Sequence, residues 1–142
     1  MRVRTVLVLL LSVPVIACST ENAAKSPDPQ IALHAIPAAD PAQYDNIQDM
    51  RKWRNPYLIV RADGVALFDS ADNAEIFLKT DDLLPALARI PAAKWPYGRV
   101  VAAAENGVRT SEQDGVAIRR NKGIVGGVLE GAHIAVKWVP SG

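Results

Sequence analysis

Tyr57-Leu58-Ile59-Val60-Arg61-Ala62-Asp63-Gly64-Val65-Ala66-Leu67-Phe68 is the stretch that decides the fold. Tyr57 to Arg61 is β-rich, Asp63-Gly64 is a strong tight-turn signal, and Val65 to Phe68 supplies the return strand of a hairpin. Beyond it, a polar loop from Asp69 to Ala74 leads to Ile76-Phe77-Leu78, a short extended piece. Thr80-Asp81-Asp82 is a cap cluster, and with Asp82 as N-cap, Pro85 falls at N3, where it sacrifices no intrahelical bond. The helix is expected to run through Leu83, Leu84, Leu87 and Ile90 and to stop at Pro91. Val100 to Glu105 reads as a mostly buried strand closed by Asn106-Gly107. Thr110-Ser111-Glu112-Gln113 offers a capping box into a second helix, roughly Glu112 to Leu129, with Val116, Ile124, Val125, Val128 and Leu129 facing inward. Gly115, Gly123, Gly126 and Gly127 weaken that helix by ~1 kcal/mol each against alanine, which leaves room for a break near Gly123. His133 to Val139 alternates, with Ile134, Val136 and Trp138 on one inward face. The order β-hairpin, α, β, α, β predicts a small α/β two-layer sandwich, a roughly four-stranded sheet with two helices on one face.

Upstream of the hairpin the character of the chain changes. Tyr44, Ile47, Met50 and Trp53 recur at three-residue spacing, which suggests a short helix or helical turn with one apolar face. Residues 18–42 are Ser/Ala/Asn/Pro-rich, with Pro27, Pro29, Pro37 and Pro41, and read as a flexible, extended tether that Ile31, Leu33 and Ile36 interrupt. The expected organisation is therefore a leader over 1–17, a tether over 18–42 and a single globular domain over 43–142. At 142 residues the chain has room for one domain with a core and not for two comfortable ones.

Composition narrows the function classes. Sixteen basic against 15 acidic side chains, with 22% charged overall, exclude a polybasic nucleic-acid binder and a highly charged disordered chain. A single cysteine excludes an intrachain disulfide framework and any multi-cysteine metal site. Part of the 49% hydrophobic content sits in the leader, where Arg2 and Arg4 precede an apolar run from Val6 to Ala17 broken by Ser12 and Pro14. That run is about twelve residues, short of the ~20 that cross a bilayer, and behind a basic segment it is the pattern of a secretory signal peptide. Without Arg2 and Arg4 the remaining side-chain charge turns slightly negative.

Val15-Ile16-Ala17-Cys18 resembles a bacterial lipobox, and the sole cysteine stands where that motif requires it. The resemblance implies cleavage between Ala17 and Cys18, with a thioether-linked diacylglycerol and an amide-linked acyl chain on Cys18. At ~0.8 kcal/mol per buried methylene, several chains hold a protein on a membrane firmly. Ser19 stands where an aspartate would signal inner-membrane retention, so outer-membrane delivery with the domain in the periplasm is the expectation. Separately, Leu58 to Gly64, the return strand, the helix around Leu83-Leu84-Pro85-Ala86-Leu87, Arg99 to Glu105 and the terminal strand are together similar to the periplasmic domain of the ExbD/TolR biopolymer-transport family. That family works through a membrane-spanning helix with an acidic residue, and this chain has no acid before Glu21. The resemblance implies the fold and an envelope-interaction role, not energy transduction.

Candidate chemistry is sparse. His34 and His133, the two histidines, fit no HExxH or paired-cysteine pattern, so no metal is expected. Asp69, Asp72, Asn73 and Glu75 depart from EF-hand spacing and read as a solvated loop. There is no Gly-x-Ser-x-Gly elbow, and Ser70, Ser111 and Ser141 fall in a loop, a cap and the tail. Asp63 and Glu105 lie near strand ends as a conceivable carboxylate pair, in a chain with only 6% aromatics to line a sugar cleft. Gly123 to Gly127 lacks a Gly-Lys-Ser/Thr ending and reads as helix–sheet packing. Trp95 and Tyr97 in Lys94-Trp95-Pro96-Tyr97-Gly98, and Arg119 and Arg120 beside Lys122, are the candidate partner-binding groups. In the loop, the competing expectation is that Trp95 folds down over the end of the sheet. No catalytic residue, metal or cofactor beyond the lipid is expected. Two functions stay open: a lipid-anchored, non-catalytic envelope module that binds a protein partner with its sheet edge or its Trp95–Tyr97 loop, and a small periplasmic enzyme or ligand-binding protein with a cleft that no motif marks.

Overall fold

The decisive hairpin forms in the computed structural model, which describes residues 27–68 and 74–141. Strand β1 (Tyr57–Val60) pairs antiparallel with β2 (Val65–Phe68), Val60 standing opposite Val65. The Arg61 N–H donates to the Gly64 carbonyl at 2.9 Å and closes the turn. Gly64 is required there: a Cβ would collide with the Leu78 carbonyl oxygen of the neighbouring strand. That neighbour, β3 (Glu75–Leu78), pairs antiparallel with β2. On the other flank β4 (Val100–Glu105) and β5 (Ala135–Trp138) add in parallel, and the sheet order is β3-β2-β1-β4-β5. The expected α/β fold is present, with the short extended piece promoted to a fifth strand.

Helix α1 (Pro29–His34) and helix α2 (Pro41–Tyr44) precede the sheet, α3 (Leu83–Ala88) joins β3 to β4, and α4 (Glu112–Gly131) joins β4 to β5. A 3-10 turn over Thr80–Asp82 leads into α3, whose N-cap residue Asp82 makes no side-chain cap bond. Ser111 caps α4 by accepting from the Asp114 N–H at 3.1 Å. Alternation along the strands gives the sheet two unlike faces. Leu58, Val60, Leu67, Val101 and Ala103 form the main core with Leu83 and Leu87 of α3 and Ile118, Val125 and Leu129 of α4. The opposite face is not bare: Tyr44 and Trp53 pack on Val100 and Ala102 in a second cluster.

Three expectations are corrected. The segment up to residue 42 is not tether throughout, because Leu33 and Ile36 are buried in the main core and Ala38 bridges to Arg99. Asp28 and Asp40 cap α1 and α2, and Pro29 and Pro41 occupy first-turn positions, where the missing N–H is no loss. Helix α4 runs unbroken through Gly123. Its buried row is Gly115, Ile118, Asn121, Val125 and Leu129, while Val116 and Ile124 are 54% and 41% exposed. Trp138 is 39% exposed rather than core, since β5 is an edge strand of the sheet among the described residues. The Lys122 ammonium lies over its ring, 4.7 Å from the centroid.

Candidate functional site

Strands β1 and β4 run parallel and end together, Val60 beside Glu105. The carboxyl ends of parallel strands are where α/β folds commonly hold ligands. A surface cavity of about 300 Å³ lies there, lined among others by Arg61, Asp63, Asn106, Thr110, Asp114 and Ile118. Most of its polar groups already satisfy one another. The Thr110 N–H donates to Asp114 Oδ2 at 3.0 Å and the Thr110 hydroxyl donates to the same oxygen. These bonds hold the Asp114 carboxyl below its usual range. Asn106 Oδ1 accepts from the Val108 N–H at 3.3 Å, and the Arg61 guanidinium pairs with Glu75.

Glu105 is committed in the same way. Lys122 Nζ donates to it at 2.9 Å and Arg109 Nη2 at 3.1 Å. The Lys122 bond first, then the charges of Lys122 and Arg109, hold its carboxyl below the usual range. A general acid needs the reverse shift. Asp63 lines the cavity and Glu105 does not, so the conceivable carboxylate pair does not converge on one cleft.

Among the described residues, no group of three or more His, Cys, Asp or Glu side chains is placed to hold a metal. The fold does bring His34 and His133 edge to face, with ring centroids 5.9 Å apart. The sequence held no hint of that pairing, because it depends on α1 docking beside the turn that ends α4. Asp69, Ser70, Asp72 and Asn73 lie outside the described residues, and so do Ala17 and Cys18. Glu75 is exposed and paired with Arg61.

The aromatic loop turns inward. Trp95 is 3% exposed and belongs to the main core, which withdraws its ring from contact with a partner. Tyr97 is half-buried, 5.2 Å from the Trp53 ring, and its hydroxyl donates to the Lys52 carbonyl at 3.3 Å. The group that organises this loop is Asn55, fully buried. Its Nδ2 donates to the Gly98 and Val100 carbonyls at 2.8 and 2.7 Å, and its Oδ1 accepts from the Tyr97 N–H at 3.0 Å. Sequence reasoning missed it, the one available hint being an Asn-Pro step before a strand. Asn121 plays a similar part, its Nδ2 donating to the Arg61 and Ala62 carbonyls at 2.8 and 3.0 Å, so that α4 clamps the hairpin turn.

Arg119 and Arg120 are exposed on the outer side of α4. Val116, Arg120 and Ile124 follow at four-residue intervals and so form one row on the helix. Beside that row is a shallow cavity of about 420 Å³ lined by Glu112, Gln113, Val116, Ala117 and Arg120. Gly123, Gly126 and Gly127 do not serve close helix–sheet packing, because a Cβ added at any of them meets nothing within 4 Å. Among the described residues no helix is long and apolar enough to cross a membrane. No protein-family profile matches this chain, and neither a curated protein nor a solved structure matches it, so a functional reading stands on the chain's own residues.

Proposed function

We propose that this chain is a lipid-anchored cell-envelope lipoprotein whose domain faces the periplasm, on the outer membrane, as a non-catalytic protein-interaction module. The observation that carries the reading is the position of the sole cysteine, Cys18, behind Val15-Ile16-Ala17 at the end of a basic-then-apolar leader. Lipid on Cys18 supplies the membrane partner. Because the domain already holds Leu33 in its core, little chain separates it from the anchor. Cys18 to Pro27 spans at most about 30 Å when fully extended, which keeps the domain close to the bilayer.

Glu105 is held ionised by Lys122 and Arg109, and Asp114 by Thr110, so neither carboxyl is poised as a general acid, which favours the non-catalytic reading over an enzyme. The surface assigned to an envelope protein partner is the outer row of α4. Val116 and Ile124 offer apolar contact, and Arg119 and Arg120 match acidic side chains. Nucleic acid is not a partner on this reading.

Metabolic labelling with palmitate tests the anchor. The expected result is a labelled, membrane-fractionated chain that accumulates as precursor under globomycin and loses label in Cys18→Ala. An unlabelled wild type, or unchanged fractionation of Cys18→Ala, overturns the reading. For the partner surface, a crosslinked envelope complex is expected to disappear in the double variant Arg119→Glu and Arg120→Glu. Its persistence removes the α4 face.

A further inference from the structure

We propose that β3 is a homodimerisation edge, pairing antiparallel with β3 of a second copy about a two-fold axis at Phe77. The strand ends the sheet, and Ile76 and Phe77 are 49% and 48% exposed on its two faces. An exposed apolar edge strand is a template for another strand unless something covers it.

The main-chain phase restricts the register to those that set outward groups opposite outward groups, and the end charges then select the two-fold at Phe77. The Arg61 N–H bonds the Gly64 carbonyl, so those residues form a hydrogen-bonded pair. Pairs alternate along an antiparallel ladder, so Ala66 and Phe68 of β2 direct their main-chain groups to β1, and Val65 and Leu67 direct theirs to β3. Leu78 and Ile76 therefore bond inward, opposite Val65 and Leu67. The main-chain groups of Glu75 and Phe77 face outward, and those of Lys79 continue the same phase.

A two-fold at Phe77 uses that outward set without a slip. The facing Phe77 residues exchange both main-chain bonds, and on each side the Lys79 N–H reaches the Glu75 carbonyl of the other copy. The Lys79 carbonyl is already held by the Asp82 N–H at 3.0 Å.

Side chains obey the same symmetry, which is why the occupant is a second copy and not an arbitrary strand. In Glu75-Ile76-Phe77-Leu78-Lys79 the two ends carry opposite charge at equal distance from the centre. Antiparallel self-pairing sets Glu75, whose carboxylate also holds Arg61 of its own chain, opposite Lys79 twice, Ile76 opposite Leu78 twice, and Phe77 against Phe77. On the helix side, Ile76 and Leu78 border an apolar groove of about 240 Å³ shared with Leu67, Ala86, Ile90 and Pro91, which the second copy's Ile76 and Leu78 extend. A register shifted by one residue opposes Glu75 to Leu78 or Phe77 to Leu78 and turns unlike faces together. This dimer is independent of the lipid anchor and of the α4 face.

The test uses the full chain with Cys18→Ser, so that neither lipid nor a Cys18 disulfide joins the copies. Phe77→Cys in that background is expected to give a covalent dimer on mild oxidation. Directly opposed hydrogen-bonded residues are about 5.5 Å apart at Cα, within disulfide reach. Ile31→Cys, on α1 and more exposed than Phe77, is the control and is expected to stay monomeric. Adding Glu75→Lys or Lys79→Glu turns two opposite-charge pairs into like-charge pairs and is expected to weaken association about tenfold, abolishing the crosslink at low concentration. Mixing these two charge variants restores both pairs across the interface and is expected to recover a heterodimer. A Phe77→Cys crosslink no stronger than that of Ile31→Cys overturns the proposal. So does a crosslink that survives either charge reversal, or a mixture that stays uncrosslinked while both variants retain the wild-type circular dichroism spectrum.

Discussion

Replacing Asn55 with alanine leaves buried main-chain groups without partners while removing few apolar contacts. The side chain is fully buried and makes hydrogen bonds to Gly98, Val100 and Tyr97. The Gly98 carbonyl keeps a second donor, the Val100 N–H at 2.8 Å, and loses least. The Val100 carbonyl and the Tyr97 N–H each carry a desolvation cost of roughly 1–3 kcal/mol once unpaired. The expected loss is about 3 kcal/mol, a large share of a typical domain's ~5–15 kcal/mol. At this size that corresponds to a midpoint lowered by roughly 10 °C. Urea denaturation followed by tryptophan fluorescence reads it directly, with Trp53 and Trp95 both buried near the loop. Asn55→Asp sharpens the test by presenting an oxygen to carbonyls that need a donor. Its buried carboxyl is pushed upward by desolvation, so the folded form binds the proton more tightly than the unfolded form. Stability of that variant then falls as pH rises above the ordinary carboxylate range and recovers on acidification. A loss under 1 kcal/mol for Asn55→Ala, or an Asp variant insensitive to pH, would refute the reasoning.

The other expectations concern three places in the fold. Leu33→Ala is expected to cost about 3 kcal/mol in the same titration, because the side chain is wholly buried against the main core; a loss near zero would return the α1 segment to the tether. Gly123→Ala together with Gly127→Ala is expected to raise the thermal midpoint by about 1–2 kcal/mol equivalent, since nothing lies within 4 Å of the added methyls. A lowered midpoint in that double variant would place an unseen close approach at the helix. For Glu105, the folded carboxyl is held down by Lys122 and Arg109, so the unfolded chain binds the proton more readily. The contribution is complete above the ordinary carboxylate range and is lost as pH falls through and below it. Glu105→Gln is expected to flatten that acid limb, at a cost near neutrality of about 1 kcal/mol or less, as befits a partly exposed pair.

Most strands were legible because their signals are local. A β-rich run marks β1, Asp63-Gly64 marks the turn that returns into β2, alternation marks β5, and Ser111 marks the start of α4. The errors share a cause. Proline, read as a linker residue around α1 and α2, is equally a first-turn residue, and only burial of Leu33 and Tyr44 separates the two. Glycine content weakened the reading of α4 and left room for a break, yet packing of Ile118, Val125 and Leu129 on the sheet holds the helix together. Trp138 alternates like a core residue, but its position on an edge strand leaves it half open.

The candidate sites divide along the same line. The proposal at Cys18 rests on sequence alone, because a processing signal is read on the linear chain before folding. The hairpin and the α/β order were also determined there, through periodicity and turn chemistry that act between near neighbours. Tertiary structure decided the rest: that Trp95 is core, that Glu105 is bound by Lys122 and Arg109, that Asn55 reaches the Gly98 carbonyl 43 residues away, and that β3 lies at one edge of the sheet among the described residues. Strand order and burial arise from contacts between segments distant in the chain. No local pattern encodes which segment ends up beside which.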